Sequence, residues 1–170
     1  MRNQIVCFGL CAALSLSPAF AQSLCKTSEV TVFTCAATPK IISVCASKVL
    51  GPRAGYVQFR IGTKSGTEVS YPSKAYRSAN TGAFGYAAMD TGPPGHYLMT
   101  KAGRETYFIL TTDDRGEQYG EEETAFVRTR NGKHVEGLVC DALTSPDGKG
   151  LDLLEKAGFQ NIDNDALDFP

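Results

Sequence analysis

The stretch Cys25-Lys-Thr-Ser-Glu-Val-Thr-Val-Phe-Thr-Cys35-Ala-Ala-Thr-Pro-Lys-Ile-Ile-Ser-Val-Cys45 decides the fold. Val30 and Val32 alternate with Thr31 and Phe33, and Ile42 and Val44 alternate with Ile41 and Ser43, the period-two pattern of strands. Ala37-Thr38-Pro39-Lys40 supplies turn chemistry between them. The stretch therefore predicts a β-hairpin carrying three cysteines. Centring its turn on Thr38-Pro39 sets Cys45 opposite residue 31 or 32, so Cys35 and Cys45 do not face each other.

Upstream, Met1 to Ala21 holds Arg2, an apolar run from Ile5 to Leu16, Pro18 and the small-x-small triplet Ala19-Phe20-Ala21. This three-part pattern predicts a secretory signal peptide cleaved at about Ala21. The run is shorter than the roughly 20 apolar residues a membrane span needs. Cleavage removes Cys7 and Cys11 and leaves Cys25, Cys35, Cys45 and Cys140, an even number in an exported chain, which predicts two disulfides. Zinc sites bring cysteines in close pairs, and none of these four lies within a few residues of another. No later apolar run is long enough to span a bilayer, so residues 22–160 are expected to form one periplasmic or secreted β domain. Residues 161–170 are read as an acidic, flexible tail.

The formal net charge of the 170 residues is −1, but basic residues dominate from Gln22 to Arg104 and acidic ones from Glu105 onward. Such asymmetry suits a basic face for an anionic partner, unless the two halves interleave in space.

Tyr56-Val57-Gln58-Phe59-Arg60-Ile61 alternates strictly and predicts a half-buried strand, with Val57, Phe59 and Ile61 inward and Tyr56, Gln58 and Arg60 outward. Lys64 to Thr67 turns it into Glu68 to Tyr71, completing a four-strand meander. Strand-like runs follow at Phe84–Met89, His96–Lys101 and Thr106–Thr112. Asn131-Gly132, which favours a type I′ turn, then joins Thr124–Arg130 to Lys133–Cys140. In that register Arg130 faces Lys133 and Arg128 faces Val135, gathering three cations at the tip. A neighbouring anion would relieve their repulsion, either the Glu121-Glu122-Glu123 loop or an external partner. One helix is expected, over Leu151–Ala157, with Gly158 ending it. The fold class is all-β: a disulfide-stabilised antiparallel barrel or sandwich of about eight or nine strands with one short C-terminal helix.

Chemistry is sparse. His96 and His134 are far apart, and Ser65, Ser78 and Ser145 lie in turns without a nucleophile-elbow context. Asp113, Asp114, Glu117 and Glu121 to Glu123 offer carboxylates for glycoside hydrolysis or calcium. Asp163, Asp165 and Asp168 lack the glycine and glutamate of a calcium loop. No catalytic residue, metal site or cofactor is assigned. Tyr56 and Arg60, with Lys64, Lys74, Tyr76 and Arg77, make a basic aromatic set able to stack on a glycan or polyanion, and export argues against nucleic acid as the ligand.

Phe33-Thr34-Cys35, Lys40-Ile-Ile-Ser-Val-Cys45-Ala-Ser47, Gly55-Tyr-Val-Gln-Phe-Arg60-Ile-Gly62 and Glu68-Val-Ser-Tyr-Pro72 resemble a set of small exported proteobacterial proteins without an established function. The resemblance implies a periplasmic all-β domain. Size, disulfides and meander are also similar to periplasmic lysozyme inhibitors, although the Ser-Gly-x-Tyr string of their inhibitory loop is replaced here by Ser65-Gly66-Thr67-Glu68.

The function expected is a non-enzymatic envelope binding or inhibitor module that meets an anionic glycan or acidic protein through Arg128, Arg130, Lys133, Tyr56 and Arg60. The alternative is a small glycan-active hydrolase using paired carboxylates. Of the three possible disulfide pairings, Cys25–Cys35 with Cys45–Cys140 is favoured, because the second bond ties the first hairpin to the last.

Overall fold

The computed structural model describes residues 22–51, 54–71, 73, 82–87, 95–112, 123–144 and 149–162. Two sheets enclose a common core. The first contains β1 (Glu29–Ala37), β2 (Lys40–Ser47), β3 (Val57–Thr63), β4 (Gly66–Tyr71) and β10 (Ala142–Thr144) in the order β10-β1-β2-β3-β4. The second contains β5 (Gly82–Ala87), β6 (Gly95–Ala102), β7 (Glu105–Thr112), β8 (Thr124–Arg130), β9 (Lys133–Val139) and β11 (Gln160–Asn161) in the order β11-β5-β6-β7-β8-β9. Every pairing is antiparallel except the short parallel contact of β11 with β5. Among the described residues neither sheet closes on itself and there is one helix, α1 (Lys149–Lys156), so the architecture is an all-β sandwich or open barrel.

Strand alternation places one face of each sheet on the core. The inward row of the second sheet runs Phe84, Leu98, Ile109, Phe126 and Leu138, each opposite the next. Phe33, Val44 and Phe59 make the corresponding row of the first sheet. α1 ends as its sequence predicts. Gly158 takes φ 86°, its N–H donates to Glu155 O and the Phe159 N–H donates to Leu154 O, the double closure of a Schellman motif. Leu154 and Phe159 are thereby turned together into the core. The Phe159 ring packs against Gly82, where a Cβ would come within 2.0 Å of it.

Two elements escaped the sequence reading. β10 and β11, of three and two residues, are too short to show a period. β9 leads through Cys140 and Asp141 into β10, so one chain segment forms the edge of both sheets. The Asp141 N–H donates to Ala36 O at 2.6 Å where it crosses. Asn161, read as the start of the tail, lies in β11, and residues 163–170 lie outside the described ones.

The disulfides are Cys25–Cys45 and Cys35–Cys140, which corrects the favoured pairing. The hairpin register is as expected, with Thr31 opposite Cys45. Cys35, however, alternates onto the core face opposite Ile42, where Cys140 at the sheet-to-sheet crossing meets it. Cys45 alternates onto the other face, and the segment before β1 folds back over that face and delivers Cys25.

Candidate functional site

The outer face of the first sheet is also covered at β2 and β3, so β3 is buried on both sides rather than half-buried. Residues 22–28 form a strap over it. Leu24 donates its N–H to Ser43 Oγ at 3.0 Å, and Arg60 donates from Nη1 to Leu24 O at 2.9 Å. Beneath the strap, Arg60 is bidentate to Glu29 at 2.6 and 2.7 Å and also donates to Gln58 Oε1. Tyr56 donates its hydroxyl to Glu29 Oε1 at 2.5 Å, and the Lys26 N–H donates to Glu29 Oε2 at 2.6 Å. Burial pushes the Glu29 carboxyl up, but the hydrogen bonds from Arg60, Tyr56 and Lys26 outweigh it and hold the pKa down to about 2. The hydrogen bond to Glu29 raises the Tyr56 phenol. Arg60 and Tyr56, expected as ligand contacts, are thus spent on an internal network; the side chains of Arg60 and Glu29 are 5% and 1% exposed. Cys25, Glu29 and Cys45 lie close enough together to suggest a metal. The two sulfurs are bonded to each other and Glu29 to Arg60, so none is left as a ligand.

The second group lies in the other sheet, at the end of the β8–β9 hairpin. Asn131 and Gly132 have φ 52° and 74°, both positive as the type I′ turn requires, and Arg130 faces Lys133. Arg128 faces Glu136 instead of Val135, because a β-bulge after His134 inserts one residue into β9. The anions that receive the cations are therefore Glu136 and Glu105. Of the expected Glu121-Glu122-Glu123 loop, only Glu123 is described, and its recorded bonds go to Thr112. Glu105 stands opposite Arg130 across β7 and β8. Its Oε1 accepts from Arg130 Nε at 3.0 Å, Arg130 Nη2 at 2.5 Å and Arg128 Nη1 at 3.3 Å, and its Oε2 accepts from the Tyr107 hydroxyl at 2.6 Å. Arg128 Nε donates to Glu136 Oε2 at 3.1 Å.

Glu105 is lowered by Tyr107 and then by Arg130, while burial raises the Tyr107 phenol. The Tyr107 ring in turn stacks on Tyr71 of β4, centroids 5.1 Å apart, tying the hairpin end to the first sheet. Arg128 is three-quarters buried, whereas Arg130 remains 58% exposed and Lys133 is exposed beside it. The sequence missed Glu105 and Glu136. Glu105 was recoverable by continuing the register from the Gly103 turn, but the bulge that brings in Glu136 leaves no periodic trace.

The remaining candidates are scattered or undescribed. Lys74, Tyr76, Arg77, Ser78, Ser145, Asp113, Asp114 and Glu117 lie outside the described residues. His96 and His134 are both exposed, on β6 and β9. Among the described residues, the carboxylates with shifted pKa values, Glu29, Glu105 and Asp141, are all shifted down. That is the opposite of the shift a glycosidase general acid needs. No helix among the described residues is long and apolar enough to cross a membrane. Comparison with protein-family models, with curated proteins and with solved structures gives no match.

Proposed function

We propose that this chain is an exported, non-enzymatic binding or inhibitor module of the cell envelope, released by cleavage at about Ala21, and that the tip of the β8–β9 hairpin is its contact surface. The observation that supports this is the Glu105 anchor. It holds two guanidinium groups in a fixed array, so that Arg130 reaches water with its orientation already set and little side-chain entropy is left to lose on binding. The partner is an anionic glycan or an acidic protein surface, matched by the net positive tip of Arg128, Arg130 and Lys133 against Glu105 and Glu136. The two disulfides suit an oxidising compartment. A glycan hydrolase is less well supported, since the three described carboxylates whose pKa is shifted, Glu29, Glu105 and Asp141, are all shifted down.

The test is sedimentation with cell-wall fragments, and with poly-glutamate as the probe for an acidic protein surface. The parent binds in low salt and releases as salt rises, while Arg130→Ala stays folded and loses that association. Equal binding by Arg130→Ala sinks the reading. Turbidity of a cell-wall suspension, with and without added lysozyme, separates inhibition from hydrolysis.

A further inference from the structure

Asn131-Gly132 is the one Asn-Gly step in the sequence. Glycine is the residue that least hinders attack of its own backbone nitrogen on a preceding asparagine side chain, since no Cβ stands beside that nitrogen. The hairpin tip leaves both reacting groups free. Asn131 and Gly132 are exposed. The Asn131 N–H donates to Arg104 O at 2.8 Å, but among the described residues nothing hydrogen-bonds the Asn131 side-chain amide or receives the Gly132 N–H. The space at Gly132 is open, with no atom within 4 Å of where a Cβ would stand. At Asn161 the same reaction is obstructed: the next residue is the β-branched Ile162, and its N–H is spent on Phe84 O at 2.9 Å.

We propose that Asn131 is a deamidation site and that its conversion switches off the hairpin tip. The switch rests on the reading of that tip as the contact surface; the modification does not. The Gly132 nitrogen attacks Asn131 Cγ, and the new C–N bond closes a succinimide ring. The Cγ–Nδ2 bond breaks, and ammonia leaves with the proton from the Gly132 N–H. Water then opens the ring. Attack at Cγ gives aspartate at position 131, whereas attack at the main-chain carbonyl carbon gives isoaspartate, in which the chain runs on through Cγ. Either product adds a carboxylate. Arg128, Arg130 and Lys133 stand against Glu105 and Glu136, one net positive charge, and the new carboxylate cancels it. Isoaspartate also inserts a methylene into the main chain between Arg130 and Lys133, the facing pair that closes the turn. Water is the only co-reactant, so the contact ages with the protein.

The test incubates the purified full chain at mildly alkaline pH, where the Gly132 nitrogen is the better nucleophile, and follows position 131 by peptide mapping with isoaspartate detection. Fresh protein, aged protein and freshly prepared Asn131→Asp are then sedimented in low salt with poly-glutamate and with cell-wall fragments. Asn131 converts while Asn161 persists, and association weakens by about tenfold in the aged protein. Asn131→Asp weakens as much without ageing, and because Asp-Gly also favours the type I′ turn it keeps the native circular dichroism. A fresh parent that binds neither probe overturns the contact reading and the switch with it. Asparagine that persists at position 131, Asn161 converting as fast, or converted protein that binds like the fresh one overturns the proposal while that reading stands.

Discussion

Glu29 keeps its charge where burial alone would remove it, because Arg60, Tyr56 and the Lys26 N–H all donate to it. Its folded pKa of about 2 lies below the ordinary carboxylate value, so the stability this supplies is fully present above about pH 4.3 and is lost as pH falls towards 2. The contribution is on the order of 3 kcal/mol. Glu29→Gln is expected to flatten this acid limb in urea titrations run at successive pH values. It should also cost about 3–5 kcal/mol at neutral pH, because Arg60 is left as an uncompensated buried charge. The alternation of Tyr56, Gln58 and Arg60 was legible in the sequence; their burial was not. A period-two pattern tells which residues share a face, but the cover comes from residues 22–28, a polar segment with no pattern of its own.

At the scale of the element, the β8–β9 hairpin was the most legible part, since Asn131-Gly132 both selects the turn and sets the closing pair. Asn131→Ala with Gly132→Ala places two Cβ-bearing residues at positive φ and is expected to cost about 2 kcal/mol in denaturant unfolding. That variant also separates the fixed array from its residues. With Arg128, Arg130 and Lys133 all retained, binding to cell-wall fragments should fall if the turn geometry matters and persist if net charge alone matters. What could not be read was the bulge, an insertion of one residue whose only sequence mark is an apolar Val135 next to a polar pair.

The whole molecule was legible as a class, because short alternating runs separated by glycine and proline leave few architectures besides a sandwich or barrel. The pairing of its cysteines was not, since it depends on which face each cysteine reaches and on a strand changing sheets. The two bonds should differ in weight. Cys35–Cys140 closes a separation of 105 residues and Cys25–Cys45 one of 20. Chain entropy alone then assigns about 5 kcal/mol to the first and about 3 kcal/mol to the second. Paired Cys→Ser variants in guanidinium unfolding should show that order. An equal or inverted order would mean that loss of the strap over Glu29 and Arg60 outweighs the chain-entropy difference.

The same two bonds interleave along the chain, first cysteine to third and second to fourth. A chain threaded into an oxidising compartment from its amino end presents Cys25 and Cys35 to the oxidant before Cys45 has arrived, and Cys140 long after both. Linkage in order of arrival therefore gives the wrong bond, Cys25–Cys35, and the right structure then needs a later exchange, such as attack of the Cys45 thiolate on Cys25, which frees Cys35 to wait for Cys140. If exported as proposed, the chain should thus be a client of a thiol–disulfide isomerase and not of an oxidase alone. Alkylation trapping during pulse–chase synthesis, followed by peptide mapping, should find the Cys25–Cys35 species early and see it persist in cells that lack isomerase activity.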